Sequence, residues 1–118
     1  EPDLVADYDR EFNHHLDRYK SAARYDQDPL VHRAAGLAML FQLNARIGDR
    51  DYLGDSARVF SDIAIFPFVR QFAGVDPAWF ETEAPHNLRG WLERLISSDL
   101  FEQAMVRRRL WAAHEADH

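Results

Sequence analysis

SDIAIFPFVRQF, running from Ser61 to Phe72, is the apolar segment about which the other elements have to be arranged. Six of its twelve residues are large and apolar: Ile63, Ile65, Phe66, Phe68, Val69 and Phe72. They point in more than one direction at any period. The segment therefore reads as a helix buried nearly all round, or as two strands pressed together. Its length favours a helix, as does Asp62 near its start, where an acidic side chain suits a first turn. Pro67 opposes this, because inside a helix it removes one hydrogen bond and crowds the preceding turn, at about 3 kcal/mol. Fully burying six large side chains is worth roughly 10–15 kcal/mol before entropy. A kinked, buried helix thus survives the proline if other helices wrap it.

Outward from this segment the patterning stays helical. Upstream, Leu4, Val5, Tyr8, Phe12, His15, Leu16 and Tyr19 recur every three or four residues, the stripe of an amphipathic helix over about residues 3–23. Tyr25 to Gln27 break that pattern. Asp28-Pro29 then supplies an N-cap followed by proline at the first helical position. A second helix is expected to about Ile47, with Leu30, Ala34, Leu37, Leu40, Phe41 and Leu43 inward and Gly48 as its stop. Residues 48–58 are polar with two glycines, a loop from which Tyr52 and Leu53 tuck into the core. The central helix should span about 60–73 and end at Gly74. Asp76-Pro77 opens a short helical turn through Phe80, anchored by Trp79 and Phe80, and Thr82 to Pro85 form a linker. A fourth helix covers about 86–97, with Leu88, Trp91, Leu92, Leu95 and Ile96 on one side. Ser98 or Asp99 starts a fifth, with Leu100, Phe101, Met105, Val106, Leu110 and Trp111 inward. Neither internal repeats nor strand alternation is visible. The expectation is one all-α domain over residues 1–118, a bundle of five to six helices around one buried central helix.

Composition narrows the function classes. The chain has 118 residues, and its 14 basic and 20 acidic residues give a net charge of −6, the wrong sign for a nucleic-acid footprint. No apolar run approaches the roughly 20 residues a membrane helix needs. No charged-then-apolar leader opens the sequence, and a start at Glu1-Pro2 without methionine suits an excised piece. Cysteine is absent, which excludes disulfides, thiolate metal sites and cysteine nucleophiles. That leaves the compartment open, with cytoplasmic as the default expectation.

Val59-Phe60-Ser61-Asp62-Ile63-Ala64-Ile65-Phe66-Pro67-Phe68-Val69-Arg70-Gln71-Phe72 resembles the core helix of the C-terminal all-helical domain of bacterial glutathione transferase-like proteins. Val75-Asp76-Pro77-Ala78-Trp79-Phe80, Leu88-Arg89-Gly90-Trp91-Leu92-Glu93-Arg94-Leu95 and His14-His15-Leu16-Asp17-Arg18-Tyr19-Lys20 fit the same family, in order along most of the chain. The resemblance implies an orthogonal helical bundle. It implies that the first helix borders a hydrophobic-substrate pocket and the subunit interface, so that Tyr8, Phe12 and His15 are candidate pocket residues. The plainer alternative is that they only pack against the second helix. In that family glutathione binds mainly to an N-terminal thioredoxin-like domain, which carries the serine, cysteine or tyrosine that stabilises the thiolate. Nothing in these residues looks like that domain. The chain itself is then expected to hold no cofactor and no catalytic residue, glutathione being implied only for a two-domain parent. Its role would be a substrate-pocket wall and subunit contact in such a parent, with a homodimer and a thioredoxin-like partner domain implied. If so, apolar surface around Tyr8, Phe12, Trp79 and Trp111 is a candidate for covering. The alternative is a free-standing helical interaction module without enzymatic activity. An independent enzyme is the weakest reading, since no nucleophile–base pair or metal cluster is apparent.

The family's central helix carries a serine or threonine N-cap three residues before its aspartate, a reciprocal capping box. Here Asp62 is present, but Val59 holds the cap position and Arg58 the apolar staple position. Asp62 is expected to be buried all the same, accepting the N–H of Val59 or Phe60, in a structural role. Arg70, late on the helix, needs a carboxylate or carbonyl partner, with an anionic ligand as the second possibility. Adjacent helical residues diverge by about 100°, so His14 and His15 are not expected to form a ligand pair. His114-Glu115-Ala116-Asp117-His118 formally matches the zinc-peptidase pattern HExxH, but in the last five residues it reads as a solvated tail. Arg107-Arg108-Arg109 reads as a solvated face near a helix C-terminus.

Overall fold

The computed structural model describes residues 3–54 and 60–116, with side chains through Asp99 and, beyond it, those of Glu102, Gln103 and Val106. Among the described residues every regular element is helical. In chain order these are α1 (Leu4–Asp7), a π-helical turn (Tyr8–Phe12), α2 (Asn13–Lys20), a 3₁₀ turn (Ala22–Arg24), α3 (Pro29–Ile47), α4 (Phe60–Val75), α5 (Pro77–Glu83) and α6 (His86–Ala116). None of these helices is long and apolar enough to cross a membrane.

The first amphipathic stripe explains its own π turn. Leu4, Tyr8, Phe12 and Leu16 are spaced by four residues three times running. On a regular helix each such step overshoots one full turn by about 40°. The wider turn takes up that drift, closed by the Asn13 N–H reaching back to the Tyr8 carbonyl. Tyr8, Phe12, Leu16 and Tyr19 are all buried as a result. The helix is shorter than the stripe suggested, ending at Lys20.

α3 begins and ends where its local signals place it. The Asp28 side chain accepts the Leu30 N–H at 3.0 Å, Pro29 follows, and Gly48 closes the helix at φ 59°. Its inward face differs from the expectation. Leu40, Leu43 and Ile47 are buried, but Leu30 and Phe41 are half exposed and Ala34 is exposed. His32 and Gly36 take the inward places instead. At Gly36 an added methyl would stand 2.6 Å from Cε1 of Phe72, so the missing side chain is what lets that ring lie against α3.

α4 is a helix in the middle of the core, but not one buried all round. Asp62, Ile65, Val69 and Phe72 are buried at steps of three and four, while Phe66 and Phe68 are partly buried. Ile63 is 51% exposed and Phe60 75%, which corrects the reading of a solvent-excluded spine. Pro67 lies inside the helix on its exposed side. The carbonyl four residues earlier belongs to Ile63, also exposed, so water can satisfy the acceptor that the proline leaves without its N–H. The helix runs through Gly74 to Val75.

Asp62 is 0% exposed, and its Oδ1 accepts the Leu53 backbone N–H at 2.9 Å and the Trp91 Nε1–H at 2.8 Å. One carboxyl oxygen thus joins α4 to the preceding loop and to α6. Val59 and Arg58 lie outside the described residues. Tyr52 and Leu53 pack against the core as expected.

Beyond Asp76, whose side chain accepts the Trp79 N–H at 3.1 Å, α5 continues through Glu83, past the expected stop. The two helices expected after it are a single one: α6 runs for 31 residues with Ser98 and Asp99 inside. A serine and an aspartate cost a helix interior only about 0.5–0.7 kcal/mol each relative to alanine. Asp99 is also well partnered there, by Arg70 and by Gln103 one turn on. Val106, expected inward, is 52% exposed; side chains at 100, 101, 105, 110 and 111 lie outside the described set. At the start of α6, the Leu88 N–H donates to Asn44 Oδ1 of α3 at 2.7 Å, so a neighbouring helix provides the cap. Leu88, Trp91, Leu92 and Leu95 complete the core.

Candidate functional site

The first helix distributes its three candidate pocket residues to three different places. Tyr8 is 2% exposed and donates its hydroxyl to the Met39 carbonyl at 3.0 Å. It also borders a groove of about 370 Å³ between the first helix and α3, lined by the apolar Leu4, Met39 and Leu43 and by Asp7, Glu11, Gln42 and Arg46. That volume is within the range of small-molecule sites. Burial pushes the Tyr8 phenol well above the ordinary tyrosine value, so it stays protonated at neutral pH. Phe12 is fully buried, stacked on Tyr8 at 4.7 Å between ring centroids and tilted against Phe72 at 5.3 Å. It packs in the core, and so does Tyr8 apart from its groove edge. Trp79 is partly buried, and the side chain of Trp111 lies outside the described set.

His15 turns away from the groove and meets a residue that the sequence did not single out. Its Nδ1 lies 2.9 Å from Nδ1 of His32 on α3, with ring centroids 5.1 Å apart. His14 completes the group: its ring is 5.0 Å from that of His15 and 5.6 Å from that of His32. One ring nitrogen from each of the three lies within 4.8 Å of the others. The divergence of adjacent side chains on one helix is real, but a third ring from the packed neighbour bridges it. Only the packing of α2 on α3 creates this cluster, since 17 residues separate His15 from His32.

The cluster has a defined hydrogen-bond order. Gln27 Oε1 lies 2.6 Å from Nε2 of His32, and a carboxamide oxygen can only accept, so Nε2 carries the proton. His32 Nδ1 then holds a lone pair and accepts from Nδ1–H of His15. Burial lowers the basicity of His15, reinforced by the charges of His14 and His32 and by Arg18, with Glu11 opposing. His32 is lowered by burial first, then by His14 and Arg18, with Asp28 opposing. Both rings are therefore biased toward the neutral form.

Arg70 is not buried. Its guanidinium meets Asp99 at 3.2 Å with both side chains substantially exposed, a surface pair worth at most about 1 kcal/mol. Gln71 beside it accepts from Lys20 Nζ at 2.8 Å. The side chains of Arg107–Arg109 and of the HEADH tail lie outside the described residues. Comparisons with protein-family models, with curated proteins and with solved structures return no match.

Proposed function

We propose that the chain serves as the helical half of a glutathione transferase-like protein, forming one wall of an acceptor-substrate pocket and part of a subunit contact. The observation that carries this reading is the groove between the first helix and α3 beside Tyr8, on the helix where the resemblance places the acceptor. Leu4, Met39 and Leu43 give the mixed lining an apolar strip that suits the ring of an electrophilic acceptor, among Asp7, Glu11, Gln42 and Arg46. Tyr8, the one phenol at the groove, has its proton committed to a carbonyl and its acidity suppressed by burial. It cannot lower the pKa of a thiol, so glutathione activation falls to a partner domain. Half-exposed Ile63 and exposed Phe60 on α4 supply apolar surface for such a domain, or for a second subunit, to cover.

The test uses the purified chain and 1-chloro-2,4-dinitrobenzene. Saturable binding of this aromatic electrophile, weakened by Met39→Lys at the groove, is expected. Glutathione added to the chain alone should form conjugate no faster than in the uncatalysed reaction. Glutathione conjugation by the isolated chain, or binding that Met39→Lys leaves intact, would refute the proposal. Sedimentation with and without glutathione measures the subunit contact.

A further inference from the structure

We propose that His14, His15 and His32 form a binding site for a borderline divalent transition ion, Zn²⁺ or a close neighbour such as Co²⁺, with the ion clasping α2 to α3. The site is independent of the groove, which none of the three histidines lines. Ligand chemistry selects the ion. Three imidazoles without thiolate or carboxylate suit zinc, cobalt, nickel and copper, and disfavour magnesium and calcium, which require oxygen.

The geometry is close to what zinc needs. At a Zn–N distance of about 2.0–2.1 Å, two nitrogens on a tetrahedral ion stand roughly 3.3 Å apart. Here the His15–His32 nitrogens are at 2.9 Å, and all three ligand atoms fall within 4.8 Å. Small rotations of the rings about their side-chain torsions span that difference. His14 is exposed, so water can enter and complete a fourth position.

Gln27 supplies the feature that separates a ligand cluster from a chance meeting of rings. Metal-bound histidines commonly donate their second ring N–H to a fixed acceptor, which sets the tautomer and aims the lone pair. Gln27 Oε1 does this for His32, leaving Nδ1 directed at His15. On metal binding the proton now shared between His15 and His32 moves, by exchange with water, to Nε2 of His15, and the neutral ring offers its Nδ1 lone pair to the ion. The charges facing the cluster are Glu11 and Asp28, which favour a cation, and Arg18, which opposes one.

Calorimetric titration of the untagged, chelator-treated chain with Zn²⁺ tests the site, with Mg²⁺ as the hard-cation control and Co²⁺ absorbance as a reporter of coordination. One equivalent of Zn²⁺ is expected, with no Mg²⁺ heat. His14→Ala, at an exposed position that leaves the core untouched, should weaken Zn²⁺ at least tenfold. His32→Ala should abolish binding, and Gln27→Ala should weaken it 10–100-fold. The paired change His114→Ala with His118→Ala should leave the stoichiometry and affinity unchanged. No Zn²⁺ heat, binding that survives His14→Ala at full strength, or binding lost only with the tail histidines overturns the proposal.

Discussion

Replacing Asp62 with alanine strands two donors inside the core. The carboxyl has no exposed surface, and its Oδ1 receives both the Leu53 N–H and the Trp91 Nε1–H. A buried donor left without a partner costs about 1–3 kcal/mol. Two such donors, and the small void beside them, put the loss at about 3–5 kcal/mol. A domain's whole stability is only about 5–15 kcal/mol, so Asp62→Ala should lower the melting temperature by more than about 10 °C. Urea unfolding followed by circular dichroism measures this directly. A double-mutant cycle sharpens the test. Trp91→Phe removes one of the two donors, so the double variant should fall short of the summed losses by about 1–3 kcal/mol. If Asp62→Ala does not fold, Asp62→Asn keeps an acceptor oxygen and should retain a measurable, reduced stability. An Asp62→Ala chain within about 0.5 kcal/mol of the parent, or a strictly additive cycle, would show that this carboxyl does not hold the core together.

Gly36→Ala should destabilise by about 1–2 kcal/mol, because Phe72 is fully enclosed by Phe12 and Tyr19 and cannot swing away from the new methyl. Gly74→Ala, also helical but with nothing near it, should instead gain about 0.5–1 kcal/mol; thermal melts of the two variants moving in the same direction would contradict the packing argument. Asn44→Ala should cost about 1 kcal/mol and speed amide exchange at Leu88, its capping partner. The Tyr25 hydroxyl donates to Asp17 and holds its carboxyl below the usual aspartate value. The stabilisation from that depressed pKa is present above the unfolded-state value near 3.9 and is lost as pH falls through the folded one. Tyr25→Phe should return the Asp17 carboxyl toward its ordinary titration, read from its carboxyl-carbon shift by NMR; an unmoved midpoint would mean that the hydroxyl is not the cause.

Local chemistry made the boundaries of α3 legible, since Asp28-Pro29 and Gly48 act on the nearest few bonds. The same reasoning cut α6 in two at Ser98-Asp99. A residue that suits an N-cap is only mildly unfavourable inside a helix, and Asp99 finds partners there in Arg70 and Gln103. In the central segment, six apolar side chains identified a core helix but not its buried face. The placement of Asp62 against Trp91, 29 residues away, fixes that face, and Ile63 is left on the outside. The burial of Asp62 was readable from its position; its donors were not, because they come from a loop and a distant helix. His32 carried no signal of its own. A lone histidine on a helix acquires interest only when a second helix brings two more beside it.

The wide turn at Tyr8–Phe12 acts as a phase adjuster for everything before it. Dropping one residue within it and restoring regular winding would leave Leu4 and Val5 at nearly their present angle to Leu16 and Tyr19, because the turn already absorbs about one residue's worth of rotation. A deletion in the regular winding of α2 has no such reserve and would turn Leu4 by about 100° away from the rim it shares with Met39 and Arg46. The length of the first helix is therefore adjustable at this one turn, and beyond it each added or lost residue displaces the groove's rim.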